Sequence, residues 1–192
     1  MSAPSSALIQ RGALALVFGV LFLLAHAAQV LLDPWVNYRP DIALLYLPAG
    51  VKLLAFVVGG VWGALGIGLA GLITAPWVLG GIDASPVYVL SRHLLWVLVP
   101  FLTFLAIKRW RGLDHALTGM THTDLLLVGM GSTAACVAAC LGFDAWYMER
   151  SLAAFNAAAA GWFLGDVLGI AVVLLATRSL MHWWLRRAAQ AG

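Results

Sequence analysis

Residues 44–79 read LLYLPAGVKLLAFVVGGVWGALGIGLAGLITAPWVL, thirty-six positions that carry a single charge, Lys52. Leu47-Pro48-Ala49-Gly50 opens an apolar helix, because proline is accepted in the first turn where its missing N–H would be unpaired anyway. Gly59-Gly60 then divides the run into two apolar segments with a tight turn between them. A stretch this long and this apolar belongs in a bilayer. The rest of the chain follows the same pattern. Of 192 residues, 63% are hydrophobic and 10% charged, with a mean hydropathy of +0.96, whereas soluble domains are about 25% charged.

Six spans are predicted, at about 13–32, 44–58, 61–79, 87–107, 124–141 and 156–177. They make residues 1–192 one all-α integral membrane domain, too apolar to include a folded soluble module. The second and third spans are short for a hydrocarbon core of about 30 Å. Pro100 falls inside the fourth and is expected to kink it. Ala25-His26-Ala27 imitates a signal-cleavage site, but the apolar run continues through Leu32, so an uncleaved first helix is expected. Cys136 and Cys140 share one helix face and read as small packing residues, not as a disulfide framework.

Charge orients the bundle. With six spans, one side holds Arg11, Lys108, Arg109, Arg111, Arg178, Arg186 and Arg187, and the other only Arg39 and Arg150. The positive-inside rule places both termini and the 108–123 loop in the cytoplasm. Asp33, Asp41, Asp83, Asp144 and Glu149 fall mostly outside. The basic pI of about 9.2 reads as topology and contact with anionic lipid, not nucleic-acid binding.

Three charges lie within spans: Lys52, Arg92 and Asp166. At 1.5 Å per residue they sit roughly 12, 8 and 15 Å below the outer surface. His26, Gln29 and His93 fall at similar depth, so one polar layer occupies the outer half. Charges cost at least about 2.5–3.5 kcal/mol there, which makes them candidate site residues. Two cations and one carboxylate cannot all be paired among themselves. If Asp166 holds Lys52 or Arg92, a positive charge is left for an anionic ligand, a small carboxylate or a lipid phosphate. The alternative is that Arg92 snorkels to the outer interface and leaves a structural Lys52–Asp166 bridge. His26 and His93 raise the further alternative of a haem-binding redox protein. No metal signature and no catalytic motif is present, so an enzyme is not expected. Gly161, Gly165 and Gly169 repeat every four residues and flatten one face of the last helix for close helix packing.

Leu47-Pro48-Ala49-Gly50-Val51 resembles the "P-A-G" opening of MASE1, a bacterial membrane-associated sensor domain. Gly165-Asp166-Val167-Leu168-Gly169 is similar to that family's late "G-D-x-x-G" helix. The matching positions are Pro48, Gly50, Gly165, Asp166 and Gly169. MASE1 regions have about eight helices fused to kinase or cyclase output domains, and this chain has neither. The resemblance implies a stand-alone sensory module of the bacterial inner membrane that works through a separate output protein and needs no resident cofactor. A small transporter or substrate-binding membrane subunit for an anionic or amphipathic ligand is the alternative. Ligand, output partner and oligomeric state are left open.

Overall fold

The computed structural model describes residues 4–39, 42–79, 85–114, 119–149, 151 and 156–191. Asp41, Asp83 and Arg150, assigned above to the outer side, lie outside these. The element order is α1 (Pro4–Val36), β1 (Asn37–Arg39), β2 (Ile42–Ala43), α2 (Leu47–Leu79), α3 (Pro86–Trp110), α4 (His122–Tyr147) and α5 (Asn156–Ala191). The two short strands pair antiparallel. All five helices are long and apolar enough to cross a membrane.

Two of the six expected segments belong to one element, α2, which is interrupted at Gly60 (φ 54°, ψ −131°). The positive φ is one that only glycine adopts cheaply. The chain turns back there. A side chain at Gly63 would collide with the Ala55 carbonyl, a contact impossible along a straight helix. Residues 47–59 run in the same direction as α3, with Lys52 beside Trp96 and Phe56 beside Phe101. Residues 61–79 run the opposite way, with Ala64 near the inner Phe101 and Phe104 and with Gly68 and Gly71 against His93. The sequence reading of Gly59-Gly60 as a turn therefore matches the backbone. α3 continues unbroken through the buried Pro100.

Small and aromatic residues make up most of the two interior clusters, and many branched aliphatics face outward. Phe18, Phe22, Val51, Ala55, Ile67 and Ala70 form one cluster, and Leu53, Phe56, Ala64, Phe101, Phe104 and Val128 a second. Leu16, Leu69, Leu102, Leu126 and Leu175 are more than half exposed. Such outward apolar faces suit lipid as solvent, where helix association rests on close packing rather than on burial from water. α1 meets the second half of α2 so closely that a side chain at Gly66 would collide with the Ala15 carbonyl.

The glycine stripe of α5 faces something other than a helix. Gly161 lies against Ile42, Gly165 against the Ala43 carbonyl and Gly169 against the Tyr46 carbonyl. The expected helix–helix seam is thus a groove that holds the non-helical segment 42–46. This segment runs alongside the apolar part of α5, so its backbone groups need partners within the protein. They have them: the N–H of Leu44 donates to the Val36 carbonyl (2.9 Å), and that of Tyr46 to the Gly165 carbonyl (2.9 Å). The Leu47 N–H donates to Gln29 Oε1 (3.0 Å).

Candidate functional site

The sequence-predicted residues separate into two groups along α3. In the first, Arg92 Nε donates to both Asp144 oxygens, at 2.9 and 3.1 Å. Tyr88 Oη donates to the same carboxylate at 2.9 Å. Arg92 is 8% exposed and Asp144 4%, and the guanidinium also stands 5.5 Å over the Trp162 ring. Both earlier expectations for Arg92 are corrected here. It neither pairs with Asp166 nor snorkels outward, because α4 extends to Tyr147 and brings Asp144 to its depth. Asp144 had been assigned to the outer loop by ending the fifth span at 141. The signal that would have found it is the continuing apolar context Gly142-Phe143-Asp144-Ala145-Trp146-Tyr147.

One turn further along α3 the centre of the second group is Trp96, which sequence reasoning did not single out. Lys52 is 5% exposed, and its Nζ lies 4.0 Å above the Trp96 ring. Among the described residues this ammonium has no hydrogen-bond partner. Asp166, half-buried on α5, is within electrostatic reach of Lys52 but not within the 4.0 Å of an ion pair. A desolvated cation over tryptophan gains about 2 kcal/mol or more, less than the several kcal/mol that burying the ion costs. Lys52 is therefore held at a net cost that nothing described in the fold fully offsets. The Lys52 side chain, Ser132 and Thr133 contribute to the lining of a cavity of about 10 Å³, room for about one water-sized group.

The histidines and Gln29 surround this centre. His93 stacks on Trp96 at 5.7 Å, its Nε2 is 2.9 Å from the Gly68 carbonyl, and its ring rests on Gly71, where no side chain would fit. His26 stacks on Phe22, which in turn meets Trp96 at 5.6 Å, and its buried Nδ1 has no partner among the described residues. The Phe22–Trp96 contact lies between the two histidines, and His93 already spends its Nε2 on backbone. That arrangement does not fit axial ligation of a haem. Gln29 is structural: it receives the Leu47 N–H and donates to Asp33 at 2.8 Å, which tethers the start of α2 to α1.

The motif residues meet as well. A side chain at Gly50 would lie 2.7 Å from the Gly169 carbonyl oxygen, and Gly169 itself abuts the Tyr46 carbonyl. Pro48 is fully buried at the same junction. The two short stretches quoted for the family resemblance are thus in direct contact, with Lys52 one turn below and Asp166 on the adjoining turn of α5. Just past the end of α3 a second ion pair, also unforeseen, joins Arg111 Nε to Asp124 Oδ1 at 2.6 Å. Among the described residues no group of three or more His, Cys, Asp or Glu is placed to hold a metal ion. Cys136 and Cys140 are free and buried, their sulfurs 4.0 Å apart. No protein-family profile, curated protein or solved structure matches the chain.

Proposed function

We propose that the protein is a six-span sensory module of the bacterial inner membrane, with both termini cytoplasmic, in which Lys52 is the reading group. The observation that carries this is the buried Lys52 ammonium, over the Trp96 ring and without a hydrogen-bond partner among the described residues. Two arrangements are then close in energy. In one, Lys52 remains over Trp96. In the other, it closes on Asp166 or on an anionic ligand carrying carboxylate or phosphate. Because Asp166 lies beside the groove that holds residues 42–46, the exchange alters the seating of that segment and of α5. A separate output protein would read the displacement of α5. The reversal at Gly60 supports six crossings, since it returns the chain to the side where α2 began.

The test is a thermal-unfolding series on purified protein in detergent, with acetate and inorganic phosphate as probes, for wild type, Lys52→Met and Asp166→Asn. On this reading Lys52→Met folds at least as well as wild type, because it removes an uncompensated buried cation. It also loses any stabilisation that the probes give the wild type. The reading fails if Lys52→Met loses about 3–5 kcal/mol and the Lys52→Met/Asp166→Asn double variant recovers it, which is the behaviour of a plain buried bridge.

A transporter is the second reading, favoured by one observation. Non-helical segment 42–46 followed by the short helix 47–59 resembles the discontinuous helices that form substrate sites in secondary transporters. Uptake of a labelled small carboxylate into proteoliposomes, lost in Lys52→Met, would select it.

A further inference from the structure

The end of α5 leaves the bundle. Leu174 still joins the cluster that takes Met120 and Leu125 at the start of α4, but every residue from 178 to 190 is exposed. This arm of about 20 Å begins at the level where Lys108, Arg109 and Arg111 end α3. It is amphipathic. At about 100° per residue, Leu180, Met181, Trp184, Leu185 and Ala188 fall within one arc of roughly 140°, and Arg178, Ser179, His182, Arg186 and Gln190 within another of roughly 120°. Arg187 lies on the flank with its guanidinium 4.3 Å over the Trp183 ring. A groove of about 260 Å³ lined by Leu174, Thr177, Arg178, Met181, His182 and Leu185 runs along the same stretch.

We infer that this arm, residues 178–190, is a lipid-binding element that lies on an anionic membrane surface with Leu180, Met181, Trp184, Leu185 and Ala188 in the acyl boundary. Charge chooses the occupant. No acidic residue follows Asp166 in the chain, while Arg178, Arg186 and Arg187 do. A second copy in the same membrane would run parallel and set these arginines against their own counterparts. Anionic headgroups complement them, and tryptophan suits the headgroup level. The helix is weakened where the arm begins: Thr177 Oγ1 donates to the Val173 carbonyl at 2.8 Å, a back-bond that slightly destabilises helices and often bends them.

The test uses the full chain with Cys136→Ala, Cys140→Ala and Ala188→Cys, labelled at residue 188 with an environment-sensitive fluorophore. The protein is placed in nanodiscs of phosphatidylcholine alone or with about a third phosphatidylglycerol. The expected result is a blue shift and quenching by doxyl-lipid in the anionic discs only, reversed by 0.5 M salt through screening. Each arginine contributes about 5-fold to the docked population. The Arg178→Gln/Arg186→Gln/Arg187→Gln variant, whose changes are all at exposed positions, should therefore lose the response by more than 100-fold. Equal quenching in both lipids would overturn the inference. So would cross-linking between residue-188 cysteines without lipid quenching, which would assign the face to a second copy.

Discussion

Replacing Asp144 by Asn removes a charge from a buried, hydrogen-bonded ion pair while keeping its shape. The side chain accepts two bonds from Arg92 and one from Tyr88, and the amide can still accept with one oxygen. Two magnitudes compete. If the contacts were ordinary interhelical hydrogen bonds, the loss would be about 0.6 kcal/mol and no more than about 1.7. If the pair is held as a buried ion pair, losing one charge costs about 3–5 kcal/mol, because the other is left uncompensated. Arg92 is 8% exposed and cannot reach water without moving. Its ring contact with Trp162 at 5.5 Å is present with either residue at 144 and so does not offset the loss. The second magnitude should win. Asp144→Asn is expected to destabilise the protein by about 3 kcal/mol, more than 100-fold in the unfolding constant. Tyr88→Phe should cost about 1 kcal/mol. Arg92→Met/Asp144→Leu should return to within about 1 kcal/mol of wild type, since an apolar replacement of both partners is often neutral. The assay is reversible unfolding in mixed micelles, followed by circular dichroism during titration with a denaturing detergent. The reasoning is refuted if Asp144→Asn costs less than about 1 kcal/mol, or if the double variant is as unstable as the single.

Other substitutions test the backbone devices. Gly169→Ala puts a methyl group into the Tyr46 carbonyl, and overpacking of this kind costs about 1–3 kcal/mol. Gly161→Ala meets only the Ile42 side chain and should lower the melting temperature less. Gly60→Ala faces open space, so its cost of about 1–3 kcal/mol should come from the positive-φ backbone conformation alone; a melting temperature equal to wild type would argue against the reversal. Thr121 caps α4 reciprocally with Asp124, and Thr121→Ala should cost about 0.5–2 kcal/mol in the same assay.

Several features were legible in the sequence because they depend on local chemistry. The apolar runs, the start of α2 at Leu47-Pro48 and the reversal at Gly59-Gly60 each follow from composition or from one residue's backbone freedom. Proximity was partly legible as well: Lys52 and His93 both pack on Trp96, and His26 reaches it through Phe22. Partner choice was not. Height says nothing about azimuth, so Arg92 could be placed at the right level without revealing that α3 turns it toward Asp144 and turns His93 toward Gly68. Trp96 was passed over because an uncharged aromatic in the middle of an apolar span carries no signal of its own, and only tertiary packing brings its ring under the Lys52 ammonium.

The glycine stripe divides the two kinds of information most clearly. Four-residue spacing on α5 determined, by itself, that one face of that helix is bare and that something approaches its backbone closely. What approaches was decided by the fold. Residues 42–46 lie there in non-helical form, because their N–H groups find the Val36 and Gly165 carbonyls and Gln29 of α1 receives the N–H of Leu47. Those partners are distant in sequence, and no local propensity encodes them. The sequence determined which side chains the membrane would tolerate and at what depth; the tertiary structure decided which buried polar groups found a partner and which, Lys52 above all, did not.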